Sequence, residues 1–473
     1  MYLARERLAS GPDGEVTSTV NRLVAVTLAL GVIGGCAQLD GKEISSAATG
    51  LSGSLTLKQS FVVRQLDNGA TYPQTPYILT LSEGNYEQGQ YRIDGGLLLY
   101  KGHDGSGVSL NQMALVYWGD DFDVRIGKFV SKTGVLDYLS GMDLLNPVRV
   151  DFFDDANINL RRLPQWMAEL SCFVGESSLL RVTVQPYDGR TQSYISTYVG
   201  FLLDSYLPAY FEQLIQNSAE GAAIYRNVFL PLYRDGISPA LKSDIDAQYN
   251  ERGLAVEKST IQVLAESSGA GATFGAVWTN RYSEVPYIEV DQQLLDMIGA
   301  LPDGQNSGEA FREYLDQPDL NPIKGVRGFR YNQYSLYAEG TVDTYGVRAE
   351  AGVRDRVPTL NTFSPLAMVG VGVDRQAGSA YFDLEVQWGY LKQYRQSVLA
   401  TVLLNKFDLT VYRGVAVRFD HYLITGWYAG NATAVMLPNL VFTRGAFEVD
   451  LHALYHSDDK AYNTVGFTLR AAF

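Results

Sequence analysis

Three residues could carry acid–base chemistry along one stretch of chain. Glu448, Asp450 and His452 recur at every second position, with His456, Asp458 and Asp459 just beyond. An Asp that orients a His can create a general base, and hydrolases that attack ester or peptide bonds use such a pair. Nothing in the sequence marks a nucleophile to go with it. Histidine is scarce, confined to His103, His421, His452 and His456, and there are 2 cysteines, Cys36 and Cys172. That leaves too few ligands for a Cys/His zinc centre, so no metal and no cofactor is expected. The glycine-rich stretch 102–107 lacks the Lys-Ser/Thr ending of a phosphate loop. Catalysis is therefore not expected. A second use of alternating charge fits better. Arg125, Arg348, Glu350, Arg354, Asp383, Glu385, Arg418, Glu448, Asp450, His452 and Arg470 all fall on the polar side of alternating segments. Mixed charges lining a lumen would tune the passage of ions and solutes, or pair across a plugged one.

Those residues need strands to hold them. Val465, Phe467, Leu469, Ala471 and Phe473 alternate with Gly466, Thr468, Arg470 and Ala472. Phe447, Val449 and Leu451 alternate with Glu448, Asp450 and His452, and Phe382, Leu384, Val386 and Trp388 with Asp383, Glu385 and Gln387. Trp166, Ala168, Leu170, Cys172 and Val174 oppose Gln165, Glu169 and Ser171. Alternation over about ten residues is what a tilted membrane-crossing strand requires. No run of 18 apolar residues exists, so helical spans are excluded. The 46 glycines and 31 tyrosines among 473 residues suit a lipid-facing barrel, which needs apolar side chains on one face of each strand only. The terminal Phe473 resembles the signal by which outer-membrane barrels are recognised for insertion.

Short turns are expected at 119–121, 175–178, 269–272, 343–344, 376–379 and 444–445. Long connections are expected at about 131–164, 188–257, 283–327, 391–407 and 456–463. In bacterial barrels the short turns are periplasmic and the long loops extracellular. The expectation is an all-β, closed antiparallel transmembrane barrel of 16 to 18 strands over 51–473. Its loop insertions, 188–257 and 283–327, carry short helices at 201–250, 291–301 and 308–316. The 201–250 stretch could be a lid or an inward-folded constriction, or an external cap on the rim.

Ahead of the barrel, Leu23–Ile33 forms an apolar core preceded by Arg22, the length of a secretory signal and too short to span as a mature helix. The 19 residues at the start are polar and fit no signal n-region, for which a true start near residue 20, at Val20-Asn21-Arg22-Leu23, is one explanation. Ile33-Gly34-Gly35-Cys36 resembles the bacterial lipoprotein cleavage box, which implies a signal over 1–35, acylation of Cys36 and a periplasmic linker over 36–50. Ordinary cleavage after Ala37 is the alternative. The segment 1–35 holds as many basic residues (Arg5, Arg7, Arg22) as acidic ones (Glu6, Asp13, Glu15), so its removal leaves the net charge of −14 unchanged. That acidity argues against nucleic acid as a partner. The partners expected instead are outer-membrane lipid and lipopolysaccharide, the barrel assembly machinery and a small solute.

One further pattern stands out. Arg125-Ile126-Gly127-Lys128 is followed by Gly134, Asp137, Gly141, Asp143, Leu144-Leu145-Asn146-Pro147 and then Arg161-Arg162-Leu163-Pro164. With the later hairpin Gly340–Val353, which carries Arg348-Ala349-Glu350-Ala351, it resembles a group of uncharacterised Gram-negative outer-membrane barrels known as a domain of unknown function. The resemblance implies a barrel with a transport role and names no substrate. Independently of it, Asn favours turn conformations and Pro fixes φ, so Asn146-Pro147 suits a corner bracing a loop at the barrel mouth, or a corner with no ligand role. The sequence thus points to porin-like passage of small solutes. A surface barrel serving envelope assembly or adhesion is the alternative, and a barrel hydrolase a remoter one.

Overall fold

The structure is a computed structural model. It describes residues 50–65, 71–73, 77–102, 105–147, 162–188, 254–283, 287–293, 323–359, 362–391, 396–412, 414–428, 431–457 and 463–472, with 226, 230–234, 238–239, 243, 296 and 313. In the first half of the chain the strands are β1 (Gly50–Gln65), β2 (Thr71–Pro73), β3 (Tyr77–Gln88), β4 (Tyr91–Gly102), β5 (Gly105–Trp118), β6 (Phe122–Phe129), β7 (Gln165–Val174), β8 (Ser178–Asp188), β9 (Leu254–Gly269) and β10 (Ala272–Tyr282). After them come β11 (Tyr287–Val290), β12 (Ile323–Arg327), β13 (Arg330–Val342), β14 (Tyr345–Thr359), β15 (Thr362–Ala377), β16 (Ala380–Leu391), β17 (Gln396–Tyr412), β18 (Val415–Tyr428), β19 (Asn431–Arg444), β20 (Phe447–His456) and β21 (Thr464–Ala472).

Eighteen of these form one closed antiparallel barrel, within the expected range. Each pairs with its sequence neighbours, and β21 returns to β1 with Leu469 opposite Leu57 and Arg470 opposite Thr56. Closure leaves no open edge, which is what a sheet immersed in lipid requires, because lipid offers nothing to an unpaired peptide group. The three-residue β2 extends β1 beyond the barrel, and β11–β12 form a separate ribbon.

The turns separate the two ends. Eight tight hairpins, β3–β4, β5–β6, β7–β8, β9–β10, β13–β14, β15–β16, β17–β18 and β19–β20, lie at one end. All six turns expected from the sequence are among them. At Ala270-Gly271 both residues have positive φ, the conformation a two-residue hairpin needs to follow the strand twist. The connections β6–β7, β8–β9 and β10–β13 leave from and return to the opposite end, which also holds the two-residue links β4–β5, β14–β15 and β18–β19. One expectation is corrected: 391–407 is not a loop. Residues 396–412 are strand β17, and only 392–395 connect it to β16. The alternation fails there because both faces are apolar. Val402 and Leu404 point inward and are buried, while Leu399 and Leu403 share the outward rows of their neighbours. Of the expected loop helices, helical residues are described at 226, 230–234, 238–239 and 243, at 292, 293 and 296, and at 313; most of the rest of 201–250, 291–301 and 308–316 lies outside the described residues.

The outer wall is apolar. Leu384, Val369, Val371, Leu336 and Leu451 are exposed between a row of rings near the short turns (Tyr91, Phe122, Phe274, Phe382, Phe447) and another toward the loop end (Trp388, Trp427, Tyr455). Many residues on the opposite parity are polar and buried, among them Arg348, Glu350, Asp383, Glu385, Asp420, Asp450 and Thr468.

Candidate functional site

The segment 130–147, between β6 and β7, does not stay at the rim. It runs inside the barrel along the wall. The Ser131 hydroxyl donates to Glu169 on β7 (2.5 Å), and Thr133 donates to Gln262 on β9 (2.7 Å). The Val135 and Leu136 amides donate to Glu350 on β14 (2.7 and 3.0 Å). The amides of Asp137, Tyr138 and Leu139 donate to Glu385 on β16 (2.6, 2.9 and 3.0 Å). The Tyr138 ring meets Tyr422 of β18 edge-on at 5.6 Å. The chain then returns. Gln333 of β13 donates to the Gly141 carbonyl (2.7 Å), and Met142 packs with Leu264, Val277 and Tyr337 of β9, β10 and β13. Gln185 of β8 donates to the Leu145 carbonyl (2.9 Å). One segment can touch strands from β7 round to β18 only from within the lumen.

Its shape is set by a few residues. Gly134 has φ of 94°, and a β-carbon there would collide with Glu350 and Ser140. Glycine is therefore needed for the turn and for the approach of the wall carboxylate. On β15, a β-carbon at Gly370 or Gly372 would stand 2.6 or 2.9 Å from the Leu136 methyls, so these glycines form the groove that Leu136 fills. Asn146 closes the loop base. Its Oδ1 accepts from the Ser131 amide (2.8 Å), while its Nδ2 donates to the carbonyls of Leu163 (2.9 Å) and Phe129 (3.4 Å). Pro147 follows, and Asp143 pairs with Arg162. Arg161, Cys36 and Phe473 lie outside the described residues.

Arg348 is the electrostatic hub. Its guanidinium lies 2.5 Å from Asp383, 2.9 Å from Asp137, 3.4 Å from Asp374 and 3.5 Å from Glu385. Asp137, Asp383 and Glu385 each offer an oxygen within 4.8 Å of the others, a spacing a metal ion could use. The guanidinium among them already supplies the positive charge, and the donor set fits an ion-pair knot. Burial works against the charged form of Asp137, but Lys132 and Arg348 together outweigh it and hold the carboxyl below the ordinary aspartate value.

The other residues singled out in the sequence sit elsewhere on the inner wall. Arg125 pairs with Asp94 on β4 (3.2 Å) and lies over the Phe129 ring at 4.1 Å. Arg354 donates to Gln333 (3.0 Å) and covers Tyr331. Arg418 grips Asp420 with two bonds (2.7 and 2.9 Å), and Arg470 pairs with Glu448 across β20–β21. Asp450 and His452 have their nearest polar atoms 3.9 Å apart and are closed off from solvent. A general base needs to reach its substrate, so this placement does not suit catalysis.

The structure thus brings Arg348, Glu350, Asp383 and Glu385 together around the inward loop and leaves Glu448, Asp450, His452 and Arg470 on another sector. Sequence reading noted Asp137 only as part of a loop motif and missed the rest of the loop side of the site: Ser131, Thr133, Tyr138 and Ser140, with Gln262 and Gln333 on the wall. The signal that could have found them was Arg348-x-Glu350 and Asp383-x-Glu385, whose inward charges demand partners, beside the inward Gly370-x-Gly372.

No protein-family model and no curated protein sequence matches the chain. Among solved structures, OccAB4 of Acinetobacter baumannii aligns with 7% identity over 89% of this chain and 98% of its own, at a TM-score of 0.44. An anion-selective porin from Comamonas acidovorans aligns with 9% identity over 90% and 99%, at 0.41. The outer membrane protein OpdK of Pseudomonas aeruginosa gives 8% over 89% and 98%, at 0.44. Likeness at this level adds nothing to the strand pairing described above.

Proposed function

We propose that the chain is a porin-like channel of a Gram-negative outer membrane, passing small solutes through a lumen narrowed by the segment 130–147. The observation that carries the reading is that segment, bonded to the inner wall from β7 to β18 within a closed barrel. A loop held along one sector narrows a passage. The apolar outer belt between two rows of aromatic rings supports a membrane setting, because Tyr, Trp and Phe favour its interfaces. In this reading residues 1–35 are a lipoprotein-type signal, Cys36 is acylated and Phe473 addresses the barrel to the assembly machinery. Outer-membrane lipid and lipopolysaccharide surround the folded wall, and the chain sits within the uncharacterised barrel group that its motifs resemble.

A second reading has its own support. Asp420, Asn439, Asp450 and Thr468 are sealed completely on the inner wall of β18–β21, as in a plugged barrel that serves envelope assembly or adhesion. Planar-bilayer recording separates the two. Discrete, reproducible channel openings from purified folded protein are expected. A barrel that inserts, by heat-modifiable migration on gels, yet never conducts would overturn the transport reading and leave the surface role.

A further inference from the structure

Beside the loop tip lies a cavity of about 370 Å³, lined by Asp137 and Tyr138 on one side and by Tyr381, Asp383, Lys406, Asp408 and Arg418 of β16–β18 on the other. Gln376 and Ser379 also border it, so it reaches the short-turn end of the barrel. The volume is within the range of small-molecule sites. We propose that this cavity binds a small organic cation with a flat apolar body, an arylalkylamine being the simplest example. The inference rests on the solute-passing reading for its purpose, though not for its geometry.

Charge decides the sign of the ligand. Three lining carboxylates face two lining cations. Arg418 is already committed to Asp420 through two bonds. Arg348, the cation behind Asp137 and Asp383, also serves Asp374 and Glu385, and Lys132 pairs with Asp137 as well, so that with Asp420 six carboxylates meet four cations. The local balance is therefore negative, and an anion entering would meet a surplus of like charge. Asp408 stands exposed at the rim, with its amide bonded to the Ser379 carbonyl (2.9 Å) and its carboxylate available to an ammonium group. The ring faces suit the rest of such a ligand. Tyr381 already accepts Lys406 at 5.7 Å from its centroid, the arrangement of a cation over a π face. Tyr138 and the buried Leu404 supply flat apolar surface beside it.

The test is calorimetric titration of the full folded barrel in detergent with phenethylamine and with 3-phenylpropionate, which share a body and differ in the sign of the head. Phenethylamine is expected to bind and phenylpropionate not to. Asp408→Asn should weaken amine binding by about tenfold, the scale of one charge interaction at a part-exposed site, while the variant keeps its heat-modifiable migration. Tyr381→Ser should also weaken it. Tighter binding of the carboxylate, no heat with the amine, or an affinity unmoved by Asp408→Asn would each overturn the assignment. Binding is read without conductance, so a barrel that conducts but ignores the amine sinks this inference alone. One that binds the amine but never conducts sinks the transport reading alone.

Discussion

Glu385 takes the weight of the loop tip. Its two oxygens receive the amides of Asp137, Tyr138 and Leu139 at 2.6, 2.9 and 3.0 Å. A hydrogen bond to a charged group contributes roughly 1.5–3 kcal/mol, and a buried donor left without a partner costs about 1–3 kcal/mol. Three such bonds on one carboxylate do not add in full. In Glu385→Ala, Tyr138 still packs on Tyr422 and Glu350 still holds Val135 and Leu136. A loss of about 3 kcal/mol from the local closing free energy is therefore expected, with the barrel intact. Hydrogen exchange reads this directly. The amides of residues 137–139 should exchange about a hundredfold faster in Glu385→Ala, since each 1.4 kcal/mol is a factor of ten. The ladder amides of β16 should keep their protection. Glu385→Gln, which retains one acceptor oxygen, should fall between. Unchanged exchange at 137–139 in Glu385→Ala would refute the reasoning and show that packing alone holds the tip. Accelerated exchange throughout β16 would show that the substitution damaged the wall instead.

Three further outcomes follow from the same geometry. Leu451 faces outward midway between the Phe447 and Tyr455 rings, so Leu451→Arg should cost roughly 2–4 kcal/mol near mid-membrane and lower the folded fraction on gels, whereas Glu448→Asn should not; the reverse result would invert the register. Because the Asp137 carboxyl is held below its ordinary value, its contribution to the closed loop is present above the ordinary aspartate value of about 4 and is lost as the pH falls through its lowered value. Exchange at 137–139, corrected for intrinsic rate, should rise in acid more steeply in the native protein than in Asp137→Asn, and identical profiles would exclude Asp137 as the cause. If Cys36 is acylated, Cys36→Ser should abolish incorporation of labelled palmitate, and an unlabelled native protein would favour cleavage after Ala37.

How much of the barrel was legible depends on which strand is considered. β16, β20 and β21 were readable because lipid on one side and polar lumen on the other impose strict alternation, as Phe382, Leu384 and Trp388 against Asp383 and Glu385 show. β17 was not. Val402 and Leu404 face inward onto an apolar sector where Leu404, Tyr422 and Leu437 pack with Tyr138. The in-folded loop supplies apolar contact from inside, so both faces of β17 became hydrophobic and the period of two disappeared. The hairpin joining β17 to β18 escaped for the same reason, since a turn is recognised only between two recognised strands.

The site was legible in halves whose meeting was not. Gly134, Asp137, Gly141, Asp143 and Asn146 form one motif, and Arg348-Ala349-Glu350 the other, more than two hundred residues apart. In the barrel they touch: Glu350 accepts from the loop at Val135 and Leu136, and Arg348 binds Asp137. Strand periodicity could place Arg348 and Glu350 on the inner face, but it could not say what fills the space before them. A lumen-lining role would leave such charges in water. The structure instead buries them, and a buried charge persists only when paired and hydrogen-bonded. The wall carboxylates therefore hold the constriction in place, and the selectivity of a solute passage would fall to charges that remain exposed, such as Asp408 and Arg418.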